Sequence, residues 1–424
     1  MLRILHTSDW HLGHILHDLP RDREHAAFLD WLLDQLEVHE VDALLIAGDI
    51  FDTANPPSRA MRTWFSFLKQ ARSRCPELDI VVIGGNHDSA ARLEAANPVL
   101  EALHIHVVGV LPRTADGDLD EQRLLVPLHD ASGARAAWCV AVPFLRSADL
   151  PRDVTPGESD GGDPLIAGVR AVYGRALGLA RARRADGEAL VAMGHAYMVG
   201  GALSELSERW VLGGNQHALP VDIFTEDTDY VALGHLHRAQ SVGDRDSVRY
   251  AGSPIPLALD EDTYPHQVIL ADVAAGRPVA TQTLRVPRTI DILRIPGREG
   301  GPWDEVAKAL SALPVRGGLL PPERWPYLEV RVQVDGPRPG LRREVEALLA
   351  NKATRLVKLV SMRAGDGAAL AHGEDGRELA ELGAHEVLSR KWQRDYGCAP
   401  PDPVLACFHD LVDAVGQGTA GGVA

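Results

Sequence analysis

Cysteine is scarce. The 424 residues hold four, at Cys75, Cys139, Cys398 and Cys407, with no C-x-x-C pair and no zinc-ribbon spacing. That excludes a disulfide framework and a thiolate zinc module, and it fits free thiols in a reducing compartment. Long apolar runs are lacking too, and none approaches a membrane span. The opening MLRILHTSD enters a strand pattern at once, without the basic and apolar segments of a secretory leader. The expectation is a soluble, cytoplasmic protein with no membrane partner. Positive charge is the minority sign: 43 Lys and Arg stand against 59 Asp and Glu, a formal net charge of -16. Such a balance argues against a protein that grips nucleic acid over its whole surface. A local positive site supplied by bound divalent metal or by a partner protein is not excluded. No internal repeat is visible.

What is present is ordinary globular material, 45% hydrophobic and 24% charged, in a chain long enough for two or three domains. The first half alternates apolar strands with amphipathic helices. LRILHTSD, VDALLIAGD and LDIVVIGGNHD read as strands, the latter two as buried ones. RDREHAAFLDWLLDQLEVHE and PPSRAMRTWFSFLKQARSR read as helices, the first with Phe28, Leu32, Leu33 and Leu36 on one face. Further strands follow in RAAWCVAVPFL, ALVAMGH, TDYVALGHLH and VRYAGSP, with a helix at GVRAVYGRALGLARARR between. The alternation indicates a layered α/β core. Beyond Thr289, TIDILRI, WDEVAKALSAL, YLEVRVQVD, LRREVEALLA and TRLVKLVSM suggest a small α/β domain. RAGDGAALAHGEDG reads as a linker. Two helices then follow, one with Leu388, Trp392 and Tyr396 on a stripe, the next opening at Asp402 and Pro403, and the tail reads as disordered.

The chemistry lies where strands end. VVIGGNHDSA is typical: Val81, Val82 and Ile83 deliver Asn86, His87 and Asp88 past two glycines that let the chain bend. LHTSDWH supplies Asp9 and His11, LLIAGD supplies Asp49, VAMGH supplies His195, and VALGHLH supplies His235 and His237. That carboxyl edge is where open α/β sheets build ligand sites. Asp9 and His11 are two apart, as are His235 and His237, so in extended backbone each pair would face one side. Carboxylate, imidazole and one amide oxygen suit Mn²⁺, Fe²⁺ or Zn²⁺. The candidates outnumber the ligands of one four-coordinate metal, so two cations sharing a bridging carboxylate is the economical reading. Such a pair clamps attacking and leaving oxygens and lowers the pKa of a bridging water. Other histidines, such as His104, His106, His217 and His385, do not follow the pattern and read as ordinary polar or core residues.

The order D-x-H, G-D, G-N-H-D, G-H and G-H-x-H resembles the calcineurin-like metallophosphoesterases. HTSDWHLGH, GDIFDTANPPS, GGNHDSAARLEAANPVLEALHIHVVG and ALGHLHRAQ resemble, more narrowly, the nuclease subunits of the double-strand-break repair family. The resemblance is specific over residues 1–285 and looser beyond. It implies a metallophosphoesterase β-sandwich flanked by helices over 1–285, a small α/β DNA-capping domain over 286–365, and a helix-loop-helix over 374–416 docking on the partner ATPase, SbcC in bacterial members. Residues 417–424 would be a disordered tail.

The resemblance also implies roles for the site residues. One metal would be held by Asp9, His11, Asp49 and His237. The other would be held by Asp49, Asn86, His195 and His235, and Mn²⁺ is the ion implied. His87 would face the scissile phosphate, and Asp88 would orient His87 or cap the following helix. Arg92 would reach DNA phosphate or make a helix-surface or salt-bridge contact. Asp52 stands where archaeal and eukaryotic relatives often carry a histidine. The activity implied is an exonuclease and endonuclease on double-stranded DNA ends and hairpins, in a homodimer within a heterotetramer. The alternatives from other classes are a phosphoesterase acting on small molecules or proteins, and a non-catalytic scaffold that tethers an ATPase to DNA.

Overall fold

The computed structural model describes residues 1–363 except 152–153, 158–159, 161, 200–217, 319–320 and 335–337, together with 388, 391–393, 400–401 and 404. Residues Met1–Met362 pack as one compact unit. The expected linker, C-terminal helix pair and tail lie almost wholly outside the described residues. No helix among the described residues is long and apolar enough to cross a membrane.

Along the chain, β1 (Leu2–Thr7) leads through a short hairpin, β2 (Ile15–Leu16) and β3 (Leu19–Pro20), into α1 (Asp22–Val38). Next come β4 (Ala43–Ala47), α2 (Ser58–Arg74), β5 (Asp79–Ile83), two small helices α3 (Ala90–Glu94) and α4 (Asn97–Leu100), and β6 (Ile105–Val108). They are followed by β7 (Leu125–His129), β8 (Arg135–Ala141), α5 (Pro164–Arg183), β9 (Ala189–His195) and β10 (Tyr230–Gly234). β11 (Gln240–Val242), β12 (Arg245–Tyr250), β13 (Gln267–Val273) and β14 (Ala280–Arg285) complete this part.

Two six-stranded sheets form, in the orders β14-β13-β1-β4-β5-β6 and β11-β12-β10-β9-β8-β7. Strands β1, β4, β5 and β6 run parallel, as do β8, β9, β10 and β12, with antiparallel strands at the edges. Strand alternation explains the layering. In the first sheet Ile4, Ala43, Leu45, Val81 and Ile83 face the second sheet, where Val191, Met193, Tyr230 and Ala232 meet them. Their neighbours Leu5, Leu44, Ile46, Ile80 and Val82 face outward and are covered by Phe28, Leu32, Leu33 and Leu36 of α1 and Trp64, Phe67 and Leu68 of α2. Strands buried on both faces must be apolar throughout, which is why LLIA and IVVI show no alternation. One polar group crosses the middle: buried His6 bonds the Tyr230 hydroxyl at 3.0 Å and the Leu233 carbonyl at 3.1 Å, tying β1 to β10. Burial pushes its pKa down to about 3, so it stays neutral.

Parallel pairing brings the strand ends to one edge. Ala47 pairs with Ile83, Thr7 with Ile46, and Gly234 with His195. At that edge the sheets approach closely, and a Cβ on Gly234 would stand 1.8 Å from the Ala47 carbonyl oxygen. Only glycine fits there.

β15 (Ile292–Ile295), α6 (Trp303–Ser311), β16 (Tyr327–Val334), α7 (Leu341–Leu349) and β17 (Arg355–Arg363) form a separate three-stranded sheet, in the order β15-β16-β17, with its two helices. Its own core includes Val306, Leu310, Leu328, Val330 and Val345. It meets the sandwich through an apolar cluster of Leu16, Leu259, Ile290, Ile292 and Tyr327. Beside that cluster the Tyr327 hydroxyl donates to Glu24 at 2.8 Å, and buried Arg21 pairs with Glu24 and donates to the Pro256 carbonyl at 2.7 Å. A buried ion pair with all three guanidinium nitrogens bonded is costly to break from one side, so the seam is a fixed one.

Candidate metal centre

The turns after β1, β4 and β10 carry strain. Asp9 has φ +54°, His11 +48°, Asp49 +51° and His235 +101°. Left-handed backbone at non-glycine residues costs about 1–3 kcal/mol each and gathers at functional sites. It also corrects one expectation: Asp9 and His11 do not share a side of an extended strand. β1 stops at Thr7, and the chain turns left-handed on both sides of Trp10. That indole is buried against Phe28, Trp64 and Phe67, with its Nε1 donating to Thr7 Oγ1 at 2.9 Å. The anchored tryptophan sends Asp9 and His11 back toward the site.

The side chains converge. His195 Nε2 lies 3.0 Å from Asn86 Oδ1 and 3.4 Å from Asp49 Oδ2, and His235 Nδ1 lies 3.0 Å from the same Asn86 oxygen. On the other flank, His11 Nε2 is 3.5 Å from Asp49 Oδ2. Asp9, His11 and His237 each offer one donor atom within 4.8 Å of the others, and so do Asp9, Asp49 and His195. Ligands about 2.0–2.2 Å from a common cation sit about 3.0–3.5 Å from each other. The observed spacings match the edges of such a polyhedron, and Asp49 Oδ2 is common to both flanks.

Electrostatics supports the same fit. Burial, helped by His237 and His87, holds His11 neutral below its usual pKa, although Asp52 and Asp49 pull the other way. Its buried Nε2 has no hydrogen-bond partner and faces a carboxylate oxygen, an arrangement that a cation between them relieves. Burial raises Asp9 above the ordinary carboxylate range despite His195 and His237. Burial also opposes ionisation of Asp49, but His195 and His11 outweigh it and hold Asp49 well below that range. With no cation counted, the cluster draws a proton onto His195, whose pKa rises to about 9 because Asp49 and Asp9 overcome the burial that lowers it. A buried site that seeks positive charge is what a divalent ion satisfies.

The outer contacts fix the rings. His195 Nδ1 donates to the Ala47 carbonyl at 2.8 Å, leaving Nε2 toward the cluster. His237 Nδ1 is held by Glu261 Oε1 at 2.8 Å, and Glu261 Oε2 accepts the Leu257 N–H at 2.6 Å. His87 lies outside the two donor groups around Asp9, and forms a third, less buried group with His11 and Asp52. Its backbone N–H donates to Asp49 Oδ1 at 2.9 Å, its Nδ1 bonds the Asp52 carbonyl at 2.8 Å, and its ring stands edge-on to His11. Nε2 of His87 is thereby the atom available to a bound phosphate.

A family model described as calcineurin-like phosphoesterase matches residues 2–239. The chain is 40% identical over 365 residues to SbcD of the SbcCD nuclease of Rhodobacter capsulatus, a match that covers 85% of this chain and 88% of that relative. The chain belongs to the SbcD nuclease family. It is 32% identical over 397 residues to the Escherichia coli K12 member, 92% of each chain, and a model described as type 5 capsule protein repressor C-terminal domain matches residues 288–396. Within this family it is a metal-dependent nuclease with the calcineurin-like phosphoesterase fold, and its Asp and His cluster is fit for divalent metal.

Membership leaves individual residues to be placed by geometry, and one expectation changes. Asp88 does not orient His87. Its buried carboxylate accepts the backbone N–H groups of Gly85, Ile50 and Phe51 at 2.9, 3.1 and 3.0 Å, so it staples the Asp49 turn to the Asn86 turn. Burial and the nearby Asp49 push its pKa up to about 6. The group that orients His87 is the Asp52 carbonyl. Arg92 is exposed and donates to Asn55 Oδ1 at 2.7 Å, with no buried ion pair.

Glu261 and His14 were not legible in the pattern, nor was the role of Asp52. Glu261 lies in LALDEDT, away from any strand end, and nothing local marks it. Asp52 uses its carbonyl for His87, while its carboxylate stands 3.4 Å from His11 Nδ1 and 2.9 Å from His14 Nδ1. His14, three residues after His11, closes that link by bonding the Leu257 carbonyl at 2.9 Å. Outer carboxylates that hold a ligating histidine are worth about 10–100-fold in metal affinity. Glu261→Gln is therefore expected to weaken Mn²⁺ binding by that order, read by calorimetric titration, with the metal-free melting temperature little changed.

Proposed function

We propose that the protein hydrolyses DNA phosphodiester bonds at ends and hairpins, as exonuclease and endonuclease, with two Mn²⁺ ions. The observation that carries this reading is the shared Asp49 oxygen, 3.5 Å from His11 on one side and 3.4 Å from His195 on the other. Asp9, His11, Asp49 and His237 would hold one ion, and Asp49, Asn86, His195 and His235 the other. When bound, the ions supply a hydroxide nucleophile near neutral pH and neutralise charge on the phosphate.

The rest is the work of the chain. Asp49, with its N–H bond from His87 and its turn stapled by Asp88, fixes the spacing between the two sets of ligands. His87, with Nδ1 tied to the Asp52 carbonyl, presents Nε2 to the phosphate to stabilise developing charge and protonate the leaving oxygen. Arg92, exposed on α3 and oriented by Asn55, contacts DNA phosphate. An acidic chain of this kind works with a partner that carries much of the DNA grip, and the relatives' name, which makes them components of SbcCD, supports SbcC as that partner. The chain would act in the cytoplasm at the nucleoid, as a homodimer within a heterotetramer, with residues 286–365 capping the DNA and 374–416 docking on the ATPase.

The decisive test is Mn²⁺-dependent cleavage of hairpin and linear duplex DNA, with and without the ATPase. A protein that cleaves only small phosphate esters in a substrate panel would overturn the DNA assignment. Removing residues after Gly373 is expected to abolish complex formation with the ATPase and leave Mn²⁺ affinity intact. Normal complex formation by that truncation would overturn the docking assignment.

A further inference from the structure

The turn Leu259–Thr263 carries Glu261, the buried carboxylate that holds His237. The same turn is gripped from outside the sandwich. Arg294 of β15 donates to the Leu259 carbonyl at 2.7 Å and to Asp262 Oδ2 at 3.2 Å. Arg298 donates to Asp262 Oδ1 at 3.1 Å and Thr263 Oγ1 at 3.2 Å, and Arg288 to the Asp262 carbonyl at 2.8 Å. The Arg294 side chain is only 6% exposed, and Glu329 of β16 backs it at 2.5 Å. Burial opposes both charges. Their contacts win, holding Glu329 below and Arg294 above their ordinary values.

We propose that Arg294 is a positioning residue for the metal centre. By holding the Leu259 carbonyl on one side of Glu261 and the Asp262 carboxylate on the other, it fixes the Glu261 carboxylate and through it the His237 ring, so the small sheet sets affinity at the site of Asp9, His11 and His237. The proposal rests on the metal reading above. An arginine suits the place because its planar fork reaches Leu259, Asp262 and Glu329 from three separate nitrogens, whereas a lysine would have to serve all three from one compact ammonium. The turn also reaches the phosphate side. Leu257, whose N–H binds Glu261, gives its carbonyl to His14, and His14 holds the Asp52 carboxylate. One clamped segment thus steadies both the His237 ligand and the residue whose carbonyl orients His87. The other half of the centre, Asn86, His195 and His235, has none of these contacts to the small sheet.

That asymmetry supplies the test. Removing Arg294 alone leaves the buried Glu329 with only the Arg331 ion pair at 3.1 Å, so the variant is Arg294→Met with Glu329→Gln in the full chain. It is titrated with Mn²⁺ by calorimetry and by electron paramagnetic resonance. The expected result is a loss of about tenfold or more at the His237 site, in line with outer-contact effects on metal ligands. The signal of a coupled pair should give way to that of isolated ions at metal concentrations that pair them in the wild type. Affinity at the Asn86, His195 and His235 site should stay within about twofold. Glu261→Gln should give the same one-sided loss, and Glu329→Gln alone should not.

Unchanged affinity at the His237 site, or equal loss at both sites, overturns the proposal. If the double variant lacks the metal-free melting transition, Arg294→Gln with Glu329→Gln, which keeps a donor toward Leu259, is judged by the same criteria. A wild-type protein that binds no Mn²⁺ overturns the metal centre itself, a result distinct from any pattern among the variants.

Discussion

His87→Ala should bind both Mn²⁺ ions with wild-type affinity and cleave DNA about 10²–10⁴-fold more slowly, the range lost when a positioned proton donor is removed. The separation of binding from turnover follows from what the residue contributes. Its backbone N–H steadies Asp49 Oδ1, and alanine keeps that bond. Its side chain uses Nδ1 on the Asp52 carbonyl and shares no donor group with Asp49 or Asp9, only one with His11 and Asp52. Metal titration and single-turnover cleavage of a hairpin, on the same preparation, separate the two properties. A fully active variant removes His87 from the mechanism. A variant that loses metal as well makes it a structural part of the ligand shell.

Asp49→Asn is expected to have the largest effect of any single change. Asparagine keeps the shape and the acceptor for the His87 N–H, but loses the charge and puts an N–H₂ group where both flanks share an oxygen. Both flanks depend on the same oxygen, so affinity for both ions should fall by more than about 100-fold, beyond the loss expected for an outer contact, and cleavage should vanish at ordinary metal concentration. The thermal signature is equally direct. Ligand that binds only the folded state stabilises by about 2.7 kcal/mol at 100 times its Kd, so saturating Mn²⁺ should raise the wild-type melting temperature and leave the variant's nearly unmoved. The fold itself should persist, because Asp9 and Asp88 keep their backbone donors. A variant that still gains stability from Mn²⁺ would mean that Asp49 is not shared.

Much of this architecture is written locally. The runs LLIA and IVVI are apolar at every position because they are covered on both sides, and α1 and α2 carry their stripes where the first sheet needs covering. The placement of Asp9, Asp49, Asn86, His195 and His235 at strand ends is local as well, since a strand that ends at a ligand-bearing edge must exchange apolar for polar residues there. Even the elements of the small sheet follow from alternation and periodicity. The two-residue hairpin strands β2 and β3 do not, being too short to carry a pattern.

The roles that depend on a partner far along the chain could not be read this way. Asp88 looks like a neighbour of His87 in sequence, but its carboxylate turns to Ile50 and Phe51, thirty-eight and thirty-seven residues away. Glu261 sits in an unremarkable acidic turn and becomes a ligand holder only because His237 folds back over it. Asp9 and His11 reach the site by left-handed turns that a buried Trp10 enforces, where an extended strand was expected.

The sequence by itself determined which residue types meet at one edge of a layered α/β core, because burial periodicity and strand ends are short-range properties of the chain. Tertiary structure alone decided which oxygen serves both flanks, which carbonyl aims His87 and which arginines hold the Glu261 turn. Those contacts join residues tens to hundreds of positions apart, and hydrogen-bond geometry over such separations is set by packing rather than by any local pattern.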